Sequence, residues 1–203
     1  MRRTLSICLL ALLVVSSRTA AQTGDAAAGP HMAITAAVLT IDGTSTMHDY
    51  SLTTRALKIV STLAGGATLL QPGALQTFEL EIPVHSFVTE KDALKKKMLE
   101  TIKADKHRLI TFRMASYTVE PAADGHTVLV RGALTVAGVE QTVDLRLDAT
   151  EMPGGIRLTG TRDLSMKDFG IKAPTMFMGM LKTNDSVTIR FDIQLTPAAT
   201  ASN

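Results

Sequence analysis

Three methionines at alternate positions, Met176, Met178 and Met180, come closest to residues whose type and spacing could do chemistry. A thioether sulfur is a soft donor that selects Cu(I), and alternation along an extended strand points all three sulfurs to one side. The same residues support a second reading. Methionine is unbranched and polarizable and adapts to a floppy apolar partner. The run Ile171-Lys-Ala-Pro-Thr-Met-Phe-Met-Gly-Met-Leu181 also carries Phe177, and Met166 and Phe169 lie just upstream. On this reading the segment is the wall of an apolar tunnel, or core filling beneath a loop.

The other reactive side chains are scattered. None of His31, His48, His85, His107 and His126 stands at a recognised metal-ligand spacing such as HExxH. His48, beside Asp49, could orient a polar head group or simply satisfy a hydrogen bond at a strand end. His107, between Lys106 and Arg108, is expected in solvent. There is no GxSxG elbow and no phosphate loop. A Ser-His-Asp triad is assembled only by folding, so no spacing reports one. Nothing positive marks an enzyme.

The elements that must position these residues are strands. Phe78-Glu-Leu-Glu-Ile-Pro-Val84, Val143-Asp-Leu-Arg-Leu-Asp-Ala149 and Val187-Thr-Ile-Arg-Phe-Asp-Ile-Gln-Leu195 alternate apolar and polar residues. A period of two buries one face and wets the other, as in antiparallel sheets; buried parallel strands read as continuous apolar runs. Phe191 is thus expected inside and Arg190 outside. Strands are predicted near 34–42, 45–54, 56–63, 76–84, 110–119, 127–136, 139–150, 155–163 and 186–196, separated by turn residues such as Ala137-Gly138 and Pro153-Gly154-Gly155. So many half-buried strands in one short chain predict a sheet wrapped around its own interior, a barrel of about eight strands with a dry lumen. Glu90–Lys103 alone has helical spacing, through Leu94, Met98, Leu99 and Ile102, with Thr89 as its expected N-cap. Lys95, Lys96 and Lys97 then fall on the opposite, solvated side.

The ends of the chain read differently. Arg2-Arg3, the apolar run Ile7–Val15 and the small residues before Gln22 form an expected secretory signal peptide over residues 1–21, cut after Ala21. The apolar run is far shorter than the ~20 residues of a membrane span, so no stable anchor is expected. Residues 22–33 read as a linker, 34–196 as one domain and 197–203 as a flexible tail. Removing the leader takes three arginines and no acid, which moves the formal charge from +2 to −1 and leaves no electrostatic case for nucleic acid. It also removes Cys8, the only cysteine, so the mature chain holds no disulfide. The chain has no tryptophan and two tyrosines, which argues against a base- or sugar-stacking surface.

Several segments together resemble the YceI-like family. Gly132-Ala-Leu-Thr-Val-Ala-Gly-Val139, running on to Val143-Asp-Leu, is similar to its hairpin. Met98–Phe112 resembles its helix and following strand, Lys167-Asp-Phe-Gly170 a late element, and Gly43-Thr-Ser-Thr-Met-His-Asp-Tyr50 the start seen in one branch. Arg108, Tyr50 and Glu140-Gln141 depart from the usual proline, tryptophan and Thr-Lys pair. The resemblance implies an exported, all-β, antiparallel, lipocalin-like barrel with one helix near a mouth. It also implies a long-chain ligand in the lumen, a polyisoprenoid or quinone-like lipid, and a periplasmic or secreted location. The head would rest on His48, Tyr50 and Asp168, and the chain against Leu99, Phe112, Met166, Phe169, Met176, Phe177, Met178 and Met180. No catalytic residue, resident cofactor or metal is expected on this reading. Periplasmic Cu(I) binding by the three methionines, and a barrel that only binds a partner, are the alternatives. The oligomeric state is left open.

Overall fold

The computed structural model describes residues 31–46, 48–65, 67, 70–176 and 181–198. The period-two segments all form strands of one antiparallel sheet. In chain order these are β1 (His31–Ser45), β2 (Tyr50–Thr54), β3 (Lys58–Leu63), β4 (Leu75–Pro83), β5 (Leu109–Ala122), β6 (Gly125–Val136), β7 (Val139–Met152), β8 (Gly155–Ser165), the two-residue β9 (Thr175–Met176) and β10 (Leu181–Ala198). They are ordered β2-β1-β10-β8-β7-β6-β5-β4-β3, with β9 paired to β10 off this path. Most neighbours in space are neighbours in sequence, joined by short turns. Ala137 and Gly138 both take positive φ, as a two-residue hairpin of the kind that matches strand twist requires.

The sheet closes on itself through an interrupted strand. Leu39 lies opposite Thr54 in the β1–β2 ladder, and the same register, carried on, sets Met32 opposite Ser61 of β3. Those two residues do meet: the Met32 N–H donates to Ser61 Oγ at 2.9 Å. β2 and β3 are thus one strand, broken at residues 55–57, where Thr54 Oγ1 accepts from the Ala56 N–H and turns the backbone out of the ladder. On its other side β2 makes a bridge with Val88, through N–H to O bonds in both directions between Thr53 and Val88. Counting β2 and β3 as one, the wall has eight staves: β1, the broken strand, β4 to β8, and β10. This is the lipocalin-like barrel.

Outward positions carry the charges. Lys58–Glu81 and Arg131–Asp144 face each other directly across ladders, while Arg190–Asp42 and Arg157–Asp192 sit diagonally. All are at least partly exposed, so they secure register more than stability. Arg190 is exposed and Phe191 faces inward, as the alternation predicts.

Helix α1 (Asp92–Thr101) follows a short 3-10 turn at Val84–Ser86 and covers one end of the barrel. Its Met98 and Leu99 pack with Val84, Ile102, Ala104 and Phe169. Several expectations are corrected here. The helix starts two residues later than predicted, and Lys91 with extended backbone, not Thr89, is its N-cap, without a side-chain bond. Lys97 is not on the solvated side: it lies three residues past Leu94, hence on the same side, and lines the interior with it. His107 is half-buried, because its ring occupies the space left beside Gly138, which has no Cβ. Residues 31–33 of the expected linker belong to β1, with Met32 at 3% exposure, and Pro197 and Ala198 of the expected tail pair with Met32 and His31. The predicted strand 45–54 is instead the end of β1, a turn and β2. Among the described residues no helix is long and apolar enough to cross a membrane.

Candidate functional site

The lumen follows from the register. One inward row runs through Thr54, Leu39, Phe191, Gly160, Leu147 and Val128 across successive strands, every contact a paired position. The next row toward α1 is Leu52, Ile41, Ile189 and Arg162, and the next is Tyr50, Gly43, Val187 and Leu164. With most charges on outward positions and Arg162 the exception within these rows, they enclose a largely apolar cavity of about 310 Å³, which runs the length of the barrel.

Three glycines shape it. A Cβ at Gly43 would collide with the Tyr50 ring, one at Gly132 with the Phe112 ring, and one at Gly160 with the Phe191 ring. Each ring thus lies flat over a neighbouring strand where a side chain is missing, an arrangement that widens the lumen while covering bare backbone. At the far end the Tyr117 hydroxyl accepts from the Leu75 N–H at 2.9 Å and donates to the Gln71 carbonyl at 3.1 Å, holding Leu70 and Leu75 across that end. At the α1 end Leu94, Lys97, Met98, Thr101 and Ile102 form the cover. The polar side chains of the lining gather here: Tyr50, Lys97, Thr101, Arg162, Ser165 and Thr183, with Tyr117 alone at the other end. Burial pushes the Tyr50 phenol above its ordinary value.

The residues singled out from the sequence divide into groups. Tyr50, Phe112, Met166 and Phe169 line the cavity. Leu99 lies behind the lining, packed among the residues that seat the helix. His48 is exposed: its backbone carbonyl and N–H bond to Ser45 Oγ, and its Nε2 lies 3.2 Å from Lys91 Nζ at the start of α1. Asp168 is also exposed, and it is its backbone carbonyl that is engaged, accepting from Gln141 Nε2 at 2.6 Å. Met176 pairs with Leu181 through the backbone, while Phe177, Met178 and Met180 lie outside the described residues. Among the described residues no three His, Cys, Asp or Glu side chains stand together as a metal site.

Arg162, Lys97, Tyr117 and the three glycines escaped the sequence reading. Arg162 had a signal: it continues the inward parity of Ile156, Leu158 and Gly160, one charge in an otherwise apolar series. Glycines between strand residues were a weaker sign of close approach.

An up-and-down antiparallel barrel with an apolar lumen and a helix over one end is the class of protein that this architecture defines. The chain belongs to the YceI-like family, whose domain model matches residues 20–195. Among solved structures, a polyisoprenoid binding domain from Saccharophagus degradans, implicated in plant cell wall breakdown, superposes with a TM-score of 0.62–0.63 like that of BcnA from Burkholderia cenocepacia. The former is 15% identical and covers 82% of this chain and 98% of its own; the latter is 15% identical and covers 79% and 96%. A Campylobacter jejuni YceI protein has a TM-score of 0.55 at 16% identity, over 73% of this chain and 84% of its own. At these identities the likeness speaks for the fold. No curated protein matches the chain.

Proposed function

We propose that this protein holds a long-chain lipid non-covalently in its lumen, with a polyisoprenoid or quinone-like chain as the ligand, and that it catalyses no reaction. One observation carries the reading: a cavity of about 310 Å³ runs through the barrel, lined by apolar side chains from nearly every stave. Such space gains most from a slender hydrocarbon, at about 0.8 kcal/mol per buried methylene. The polyisoprenoid-binding neighbour from Saccharophagus degradans and the family supply the class of ligand. The expected leader supports export, with mature protein beginning near Gln22 in the periplasm or medium.

Native mass spectrometry of protein taken from its own envelope, followed by organic extraction, tests the reading. A mass excess released as a long-chain lipid is expected. Protein that carries no adduct, and takes up neither a polyprenol nor a quinone when stripped and re-exposed, would overturn it.

A further inference from the structure

Resting on the lumen reading above, we infer that the ligand is an amphiphile with an anionic head, a carboxylate or a phosphate, received by Arg162. The ladder to β10 sets this residue on a lumen row, just past Gly160, where the ladder to β7 ends. Arg162 is paired with Ile189, which is paired with Ile41, and both isoleucines line the lumen. Above it in the wall stand Leu164 and Val187, and below it Gly160 under the Phe191 ring. Arg162 is a cation in an apolar series, exposed to solvent while contributing to the lining of the lumen.

It is also unpaired. Among the described residues Arg162 makes no ion pair and no hydrogen bond, whereas the acids near it in the wall are engaged elsewhere. Asp163 faces outward and accepts from Thr188 Oγ1, Asp185 accepts from Ser165 Oγ and the Lys167 N–H, Asp42 faces Arg190, and Asp192 is tied to Arg157. Among the described residues no Asp or Glu lines the cavity. The second cation of the lining, Lys97, has Glu100 3.8 Å away on the exposed side of α1. The lumen therefore offers a net positive interior, with one planar, five-donor guanidinium free to take two oxygens of one anion. One row nearer α1, the Tyr50 ring lies over Gly43, which pairs with Val187 and through it aligns with Leu164, and this brings a phenol to the same end of the cavity. A neutral head would leave the guanidinium unmatched when the chain displaces solvent, and an anion resolves that cost. A fatty acid and a lipid phosphate share this chemistry, so both are probes.

The test compares ligands of one chain length and different heads. Delipidated protein is titrated with palmitate, hexadecyl phosphate and hexadecanol by calorimetry, with inorganic phosphate as a chain-free arm. The wild type is expected to prefer palmitate, hexadecyl phosphate or both over hexadecanol by about ten- to a hundredfold, the worth of hydrogen bonds to charged groups. That ratio should fall to about one in Arg162→Met, persist in part in Arg162→Lys, and stay whole in Arg113→Met on the outer face; circular dichroism checks each fold. Hexadecanol bound as tightly as both anions would overturn this inference and leave the lipid-holding reading standing. A preference that survives Arg162→Met and disappears in Lys97→Met would also overturn it, as would inorganic phosphate binding as tightly as the chain-bearing anions. Failure of all three chain-bearing probes to bind would overturn the lumen reading itself.

Discussion

Replacing Gly43 with alanine puts a methyl group where the Tyr50 ring lies, and only ring atoms are in the way. The ring must swing aside, so Gly43→Ala is expected to cost about 1–3 kcal/mol in urea unfolding. Removing the ring as well, in Gly43→Ala with Tyr50→Ala, should give a double-mutant cycle with a clearly non-additive term; simple additivity would mean that the two do not act as one unit. Phe191 differs from a closely packed core residue. It borders the cavity and is half-buried, so Phe191→Ala should cost less than the ~3–5 kcal/mol typical of a sealed core. Tyr50 can also be followed by titration. Its phenol is raised by burial, so protonation favours the folded state, and this contribution is complete below the ordinary value and lost as pH rises through the raised one. In a Tyr117→Phe background the phenolate absorbance should appear later in folded protein than in urea; coincident curves would contradict the burial of Tyr50.

At the scale of elements, the seam is the place to probe. Ser61→Ala removes the acceptor of the Met32 N–H, and Met32 is 3% exposed, so the orphaned donor should cost about 1–3 kcal/mol. Thr62→Ala, next to it but exposed and bonded only to Thr77 Oγ1, should cost much less. Equal losses would argue that the seam contributes nothing beyond a generic strand contact. Elements of this kind were only partly legible in the sequence. Strands β4, β7 and β10 could be read because alternation is a local signal, and their apolar residues, such as Phe78, Leu80, Val143, Leu145, Ile189 and Phe191, do line the cavity. The β2–β3 break could not, since it depends on a Thr54 hydroxyl turning back on its own backbone. Likewise Tyr50, Phe112, Met166 and Phe169 were found because apolar and aromatic side chains advertise a lumen. Arg162 was passed over because a charge in a strand ordinarily belongs to the outer face, and only its pairing with Ile189 sets this one on a lumen row.

For the whole molecule, outer charges and inner surface respond to different variables. The Arg157 hydrogen bond holds Asp192 below the usual carboxylate range. A depressed acid contributes stability that is present at neutral pH and lost as pH falls through its lowered value, so wild type and Asp192→Asn should converge in acid and differ slightly above it. Added salt should narrow that difference, since the pair is exposed. Occupancy of the lumen should act on another scale: a bound chain stabilises the fold in proportion to the logarithm of its free concentration and raises the melting temperature accordingly.

The strand order also has a meaning in time. The longest ladder joins β1, the first strand to be synthesised, to β10, the last, with His31 beside Ala198. Until β10 leaves the ribosome, β1 lacks its partner on that side, and the barrel wall is incomplete. Contacts of such sequence separation form slowly. The growing polypeptide therefore keeps an open seam beside β1 until β10 has been made.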